Sequence, residues 1–326
     1  MKQPTEAPLL RAQTSFAVNL LNEVIKNNPE ATACSPFSAS VSLAMVYAGA
    51  RGETKKEIKD LIVGKSEVTE TQVHSYFSEL LRSVFNKTNS KERTFCLESA
   101  NKLFIREGFE LKEHTNRRLR SITLECWNKR ISKTKRHSEV NGWVKETTHG
   151  LIKKILSKED INKDTPMIIL NALYLRQNGG RIELMNIKKI FAYYENDDVQ
   201  VLCMRYKCCN FSNFVFLPKR LKDIKSLLDG FDGKATLDLI KKTEKSQYSV
   251  EATVTVKIPK FEVNVDIDLE PVLNTLGMQR AFQVANAEFE GISDQKPFFI
   301  DKATQSVCIK MNEKGTEAAA ATKVAR

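Results

Sequence analysis

No apolar run in the 326 residues approaches the length of a bilayer-spanning helix, which excludes a helical membrane protein. The first residues, "MKQPTEAPLLRAQTSF", lack the continuous apolar stretch of a secretory signal, so the expected location is the cytoplasm. Cysteine is sparse: seven residues, at 34, 96, 126, 203, 208, 209 and 308, an odd number without C-x-x-C spacing. That excludes a disulfide framework. Cys208 and Cys209 are adjacent, a poor geometry for sharing a metal, and histidine is limited to His74, His114, His137 and His149. Neither a zinc site nor a Cys–His nucleophile pair is supported, and no metal or cofactor is expected. No acid/base pair or phosphate-binding loop stands out, so an enzyme is not expected. With no Gly-, Pro- or Ser-rich linker and no internal repeat, residues 1–326 are expected to form a single domain. The sequons Asn86-Lys87-Thr88 and Asn210-Phe211-Ser212 matter only in a secreted protein.

Positive charge is what the chain has in excess, with a formal net charge of +11. The densest basic stretches are "NRRLR" (116–120), "NKRISKTKRH" (128–137) and "LIKKILSK" (151–158). None interleaves aromatics at base-stacking spacing, so a nucleic-acid partner is not expected. Most such runs are solvated faces; a heparin-like polyanion is the charged partner they leave open.

Periodicity makes the first half helical. "LLRAQTSFAVNLLNEVIKNN" places Leu9, Phe16, Leu20 and Val24 on one face and stops at Asn28-Pro29. "CSPFSASVSLAMVYAGARGET" has Ser35 as N-cap, Pro36 in the first turn, and Gly49 and Gly52 at its exit. Its body is apolar around the whole circumference, which predicts a helix in the middle of a large domain. "HSYFSELLRSVFNK" and "SEVNGWVKETTHGLIKKIL" also read as helices, and "LEPVLNTLGM" as a short one. "TFCLESANKLFIREGF" alternates like a half-exposed strand, whereas "PMIILNALYL" is a continuous apolar run that suits a strand buried on both faces. "FSNFVFLPK" and "SVEATVTVKIPKFEVNVDI" are further strands. Helices first and strands later predict an α+β fold on an antiparallel or mixed sheet.

The chain ends in "MNEKGTEAAAATKVAR" (311–326). Local propensity alone predicts a short helix there, with Ala318 to Ala321 as good helix formers and Thr316 as a cap after Gly315.

Seven segments, spread along most of the chain, resemble the serpin family in order. They are "CSPFSASVSLAMVYAGARGETKKEI" (34–58), "VNGWVKETTHGLIKKIL" (140–156), "MIILNALYL" (167–175), "VKIPKFEV" (256–263), "LGMQRAF" (276–282), "FEGIS" (289–293) and "NEKGTEAAAAT" (312–322). The resemblance implies a serpin-like single domain, its N-terminal helices packed on a large mixed or antiparallel main sheet with further, incomplete sheets. It also implies inhibition of serine, or alternatively cysteine, proteases. In that mechanism a target protease cuts an exposed loop, whose proximal hinge then enters the main sheet as a strand, a known instance of strand addition.

The hinge falls on Glu313, Gly315, Thr316, Glu317, Ala318, Ala319, Ala320, Ala321 and Thr322. Small side chains suit that role, because overpacking a filled core costs about 1–3 kcal/mol. Gly315 gives the backbone freedom where strand becomes loop. The family's polar cluster at the sheet opening maps to Ser35, Ser38 and Asn171, with Gln305 in place of the family's histidine. Gln305 still donates and accepts hydrogen bonds but carries no titrating charge.

Three departures accompany the resemblance. The family's tryptophan after the "NALYL" strand is absent near Gly179, and "CCNFS" bridges a gap where the family has a longer connection and a strand. The chain ends at Arg326, before the scissile bond and the C-terminal strands that the family pattern places further on. Two alternatives to inhibition follow: an inactive truncated form, or a non-inhibitory serpin-like binding protein using the basic surface from Arg117 to Arg136. Much of the family is secreted, so extracellular is the alternative location.

Overall fold

A computed structural model of the chain describes residues 6–28, 33–85, 97–110, 112–115, 129–131, 136–148, 150, 152–158, 160–161, 165–175, 184–205, 211–219, 228, 230–246, 253–259, 261–312 and 315–325. The elements run α1 (Glu6–Asn27), α2 (Pro36–Gly49), α3 (Gly52–Val63), α4 (Glu70–Phe85), β1 (Leu97–Arg106), β2 (Lys129–Ile131), α5 (Arg136–Thr147) and β3 (Met167–Leu175). They continue as β4 (Leu184–Ile190), β5 (Ala192–Glu195), β6 (Val199–Arg205), β7 (Ser212–Pro218), α6 (Gly233–Ser246), β8 (Thr253–Pro259), β9 (Phe261–Asp268), α7 (Leu269–Thr275), β10 (Lys302–Asn312) and β11 (Gly315–Ala325). The fold is α+β. A six-stranded mixed sheet has the order β2-β1-β11-β3-β10-β9, beside a two-stranded sheet β4-β8 and a three-stranded sheet β5-β6-β7.

Helix α2 starts as its residues dictate. Ser35 caps it, its Oγ accepting from the Ser38 N–H at 3.3 Å, and Pro36 fits a first turn that needs no N–H. Every residue from Ser38 to Gly49 is buried, as an all-apolar circumference requires. Its far end is pressed against Ile292, so closely that a Cβ on Gly49 would lie 2.0 Å from Ile292 Cγ1.

The period-two pattern of β3 sorts its side chains into two cores. Met167 and Ile169 join the large core that contains α2; Ile168 and Leu170 join a smaller one with Phe104, Val140 and Leu156. The sheet is thus covered by α2 on one face and α5 on the other. That second cover corrects the reading of β1 as half-exposed. Leu103, Phe104 and Ile105 are all buried, because Trp143 of α5 packs edge-on to Phe104 with ring centroids 6.3 Å apart.

Helix α5 also stops sooner than the sequence predicts, at Thr147 rather than near Leu156. The Thr148 hydroxyl donates to the Val144 carbonyl at 2.6 Å and accepts from the Ile152 N–H at 3.1 Å. Gly150, at φ +83°, then reverses the chain. Asn141 fixes the returning segment: its Nδ2 donates to the Leu156 carbonyl at 2.7 Å, and its Oδ1 accepts from Ile155 and Leu156 at 2.9 and 3.1 Å.

Two of the segments singled out above, 34–58 and 276–282, meet at one corner together with Glu288. The Arg51 N–H donates to the Glu288 carbonyl at 2.7 Å, and the Glu288 carboxylate accepts from the Thr54 N–H at 3.1 Å. Glu57 accepts from the N–H groups of Gln279 and Arg280, both at 2.9 Å. Among the described residues no helix is long and apolar enough to cross a membrane, and no group of three His, Cys, Asp or Glu is placed to hold a metal.

Candidate functional site: the main-sheet seam and its polar anchor

Gln305 lies in the middle of β10 and is fully buried. Its Oε1 accepts from the Ser35 N–H at 2.7 Å and its Nε2 donates to the Ser35 carbonyl at 3.0 Å. One carboxamide therefore satisfies both backbone groups of the residue that caps α2. Ser38 is completed by the Ser35 hydroxyl, so Ser35, Ser38 and Gln305 form a connected anchor between α2 and the sheet. Cys34 beside it is half-buried, and burial pushes its thiol up to about 12. On β10, the hydroxyl of Ser306 donates to the Asp266 carboxylate of β9.

Register places Asn171 directly opposite Gln305 in the parallel pair β3–β10, and Ile267 of β9 opposite it on the other side. Asn171 also faces Asn101 of β1 and Thr322 of β11. All four predicted cluster positions therefore fall on one transverse row of the sheet or directly beneath it.

The tail is a strand, not the helix that local propensity favours. β11 turns back from β10 through the antiparallel pairs Lys310↔Glu317, Met311↔Thr316 and Asn312↔Gly315. It then runs antiparallel to β3 from Ala318↔Leu175 to Ala325↔Ile168, and parallel to β1 from Leu97↔Ala318 to Ala100↔Ala321. β1 and β3 are themselves matched over the same residues, Leu97↔Leu175 to Ile105↔Met167. β11 thus lies within the main sheet, paired with β1 and β3 and, at its start, with β10. β3 and β10 are paired in parallel from Lys302↔Ile168 to Ile309↔Leu175.

Of the predicted hinge, Gly315, Thr316, Glu317, Ala318, Ala319, Ala320, Ala321 and Thr322 lie in β11, whereas Glu313 falls outside the described residues. So do His149, Gly179, most of "CCNFS", both sequon asparagines and the basic run at Arg117. Sequence reasoning missed Asn141 and the Thr148–Gly150 reversal; the Gly after Thr-Thr-His was the available signal.

Comparison with known proteins identifies the family and the fold. A family model described as "Serpin (serine protease inhibitor)" matches residues 11–178 and 175–326. The chain is 27% identical over 374 residues to "Plasminogen activator inhibitor 2" of Homo sapiens, covering 95% of this chain and 88% of that protein. It is 30% identical over 347 residues to an uncharacterized serpin-like protein of Thermococcus kodakarensis, covering 99% and 78%. The solved structure of "a tumour suppressing serpin" superposes with a TM-score of 0.80 at 21% identity, covering 94% of this chain and 90% of that one. The chain belongs to the serpin family.

Proposed function

We propose that this protein inhibits proteases of the serine class, with cysteine proteases as a second target class, by loop cleavage followed by strand entry. The attacking nucleophile is the protease's own, so no residue of this chain is catalytic. Residues 312–326 act as the hinge. Once the protease has formed its covalent link, the hinge zips into the main sheet and the enzyme is carried off in a distorted, trapped state. The polar row at Gln305, Asn171 and Thr322, with Ser35 and Ser38 beneath, sets how readily the sheet parts. The 326 residues work as one domain, because helices and sheet must move as a unit for strand entry to do work on the protease.

The observation that carries this reading is that the alanine-rich segment 315–325 is a strand of the main sheet, paired with β1, β3 and β10. Its small side chains let such a strand enter a sheet without overpacking the layers on either face. The test is the hinge substitution Ala320→Pro. Ala320 is matched to Leu173 on β3 and Ser99 on β1, and proline there removes a ladder N–H. Trapping slows by about tenfold or more, corresponding to roughly 1.4 kcal/mol on the entry step, while cleavage by the same protease continues. Unchanged trapping by the variant would sink the proposal.

A further inference from the structure

A groove of about 510 Å³ lies between α1 and α3, lined as well by the turn that follows α7. Its size is that of a small-molecule site. Phe16, buried, and Ala12, Leu61 and Leu276, half-buried, give it an apolar floor. In a chain that is basic overall, the charged lining is acidic. Glu53, Glu57 and Asp60 follow one another at four- and three-residue spacing along one face of α3, and Lys56 is the one cation among the lining residues.

The walls are tied together without a ligand. The Gln13 Nε2 of α1 donates to the Ile62 carbonyl of α3, which fixes the spacing of the two helices. Glu57 accepts from the N–H groups of Gln279 and Arg280, both at 2.9 Å, and so holds the turn after α7 against α3. Gly277, at φ +102°, makes that turn. The three carboxylates are therefore not equivalent. Glu57 is committed to two N–H groups, and Glu53 pairs with Lys56 at 3.0 Å. Asp60 is exposed, and among the described residues its carboxylate accepts no hydrogen bond. An unengaged anion beside an apolar floor suits a ligand with one cationic group for Asp60 and a compact apolar body for Phe16, Leu61 and Leu276. The same lining repels an anion.

We propose that this groove binds a small organic amine, an ammonium group carried on an aromatic or branched apolar body. The proposal stands independently of protease trapping. The bound amine touches α1, α3 and the turn after α7 at once, so occupancy also stabilises the folded chain.

The test is calorimetric titration of the full chain with tryptamine, and with indole-3-propionate as the probe of similar body and opposite charge. One-to-one binding of tryptamine is expected with a Kd below about 1 mM, and binding of indole-3-propionate at least about tenfold weaker. Asp60→Asn weakens tryptamine binding at least about threefold, the upper range for an exposed ion pair. Lys56→Gln removes a like charge, frees Glu53, and tightens binding about twofold. The control Glu244→Gln, an exposed acid on α6, changes it by less than about 1.5-fold, since distant exposed charges are screened. Methyl NMR of the wild-type chain, which needs no variant to fold, shows the Leu61 and Leu276 methyl signals moving and saturating with tryptamine. Equal binding of the two probes, equal effects of Asp60→Asn and Glu244→Gln, weaker binding by Lys56→Gln, unmoved Leu61 and Leu276 signals, or no one-to-one binding of tryptamine at about 1 mM overturns the proposal.

Discussion

Replacing Gln305 by methionine keeps the length of the side chain and removes both hydrogen bonds to Ser35. The two lost bonds are not equal. The Ser35 carbonyl still accepts from the Ala39 N–H at 3.1 Å, whereas the Ser35 N–H has the Gln305 oxygen as its acceptor, at 2.7 Å. A buried donor left without a partner costs about 1–3 kcal/mol, and the second, partly compensated bond adds about 0.5–1.5 kcal/mol. Methionine recovers little by burial, since the carboxamide it replaces is already fully inside. The expected loss is therefore roughly 2–4 kcal/mol, a large share of the 5–15 kcal/mol typical of a folded protein. Urea denaturation followed by circular dichroism measures it as a lower midpoint at unchanged slope. A change below about 0.5 kcal/mol, the size of an ordinary surface substitution, would show that the clasp does not hold α2 to β10.

Gln305→His makes the same anchor pH-dependent. Only neutral imidazole offers an acceptor to the Ser35 N–H, so the folded-state pKa falls below the unfolded value of about 6.5. The anchor's stability is then present above about pH 6.5 and lost as pH falls through the lower folded value. The denaturation midpoint of this variant, relative to wild type, should decline between about pH 7 and 5; a constant difference refutes the assignment. Gly49→Ala should cost about 1–3 kcal/mol by overpacking, because the new Cβ meets the buried Ile292 side chain at 2.0 Å. Wild-type thermal stability in this variant contradicts that contact. Cys34, with its thiol pushed up to about 12 by burial, should resist iodoacetamide at pH 8 until urea unfolds the chain. Peptide mass spectrometry reads the site, and rapid native labelling of Cys34 refutes the raised thiol pKa.

Helix α2, the cap at Ser35 and the doubly buried β3 were legible in the sequence because each is written in local pattern: an all-apolar helix, a Ser-Pro start, an unbroken apolar run. The class followed from element order. What stayed illegible depended on neighbours distant in the chain. β1 alternates, yet Leu103, Phe104 and Ile105 are all buried because α5 lies across them. "SVEATVTVKIPKFEVNVDI" reads as one strand region, but β8 pairs with β4 while β9 joins β10 in the main sheet. The stretch from Leu184 to Arg205 and helix α6 were passed over, since their mixed charge and short runs give weak periodicity. The tail shows the same limit most clearly. Four alanines favour a helix in isolation, and only pairing partners on β1 and β3 make them a strand.

Strand entry after protease attack is tested most directly by a protease challenge. The protein purified from its natural source is mixed with trypsin-like, chymotrypsin-like and elastase-like serine proteases and with a papain-like cysteine protease. Each mixture is boiled in detergent and resolved by electrophoresis. The account predicts, with at least one serine protease, a band at the summed mass of the two proteins that survives boiling. Cleavage of the loop by every protease without any such band would contradict it.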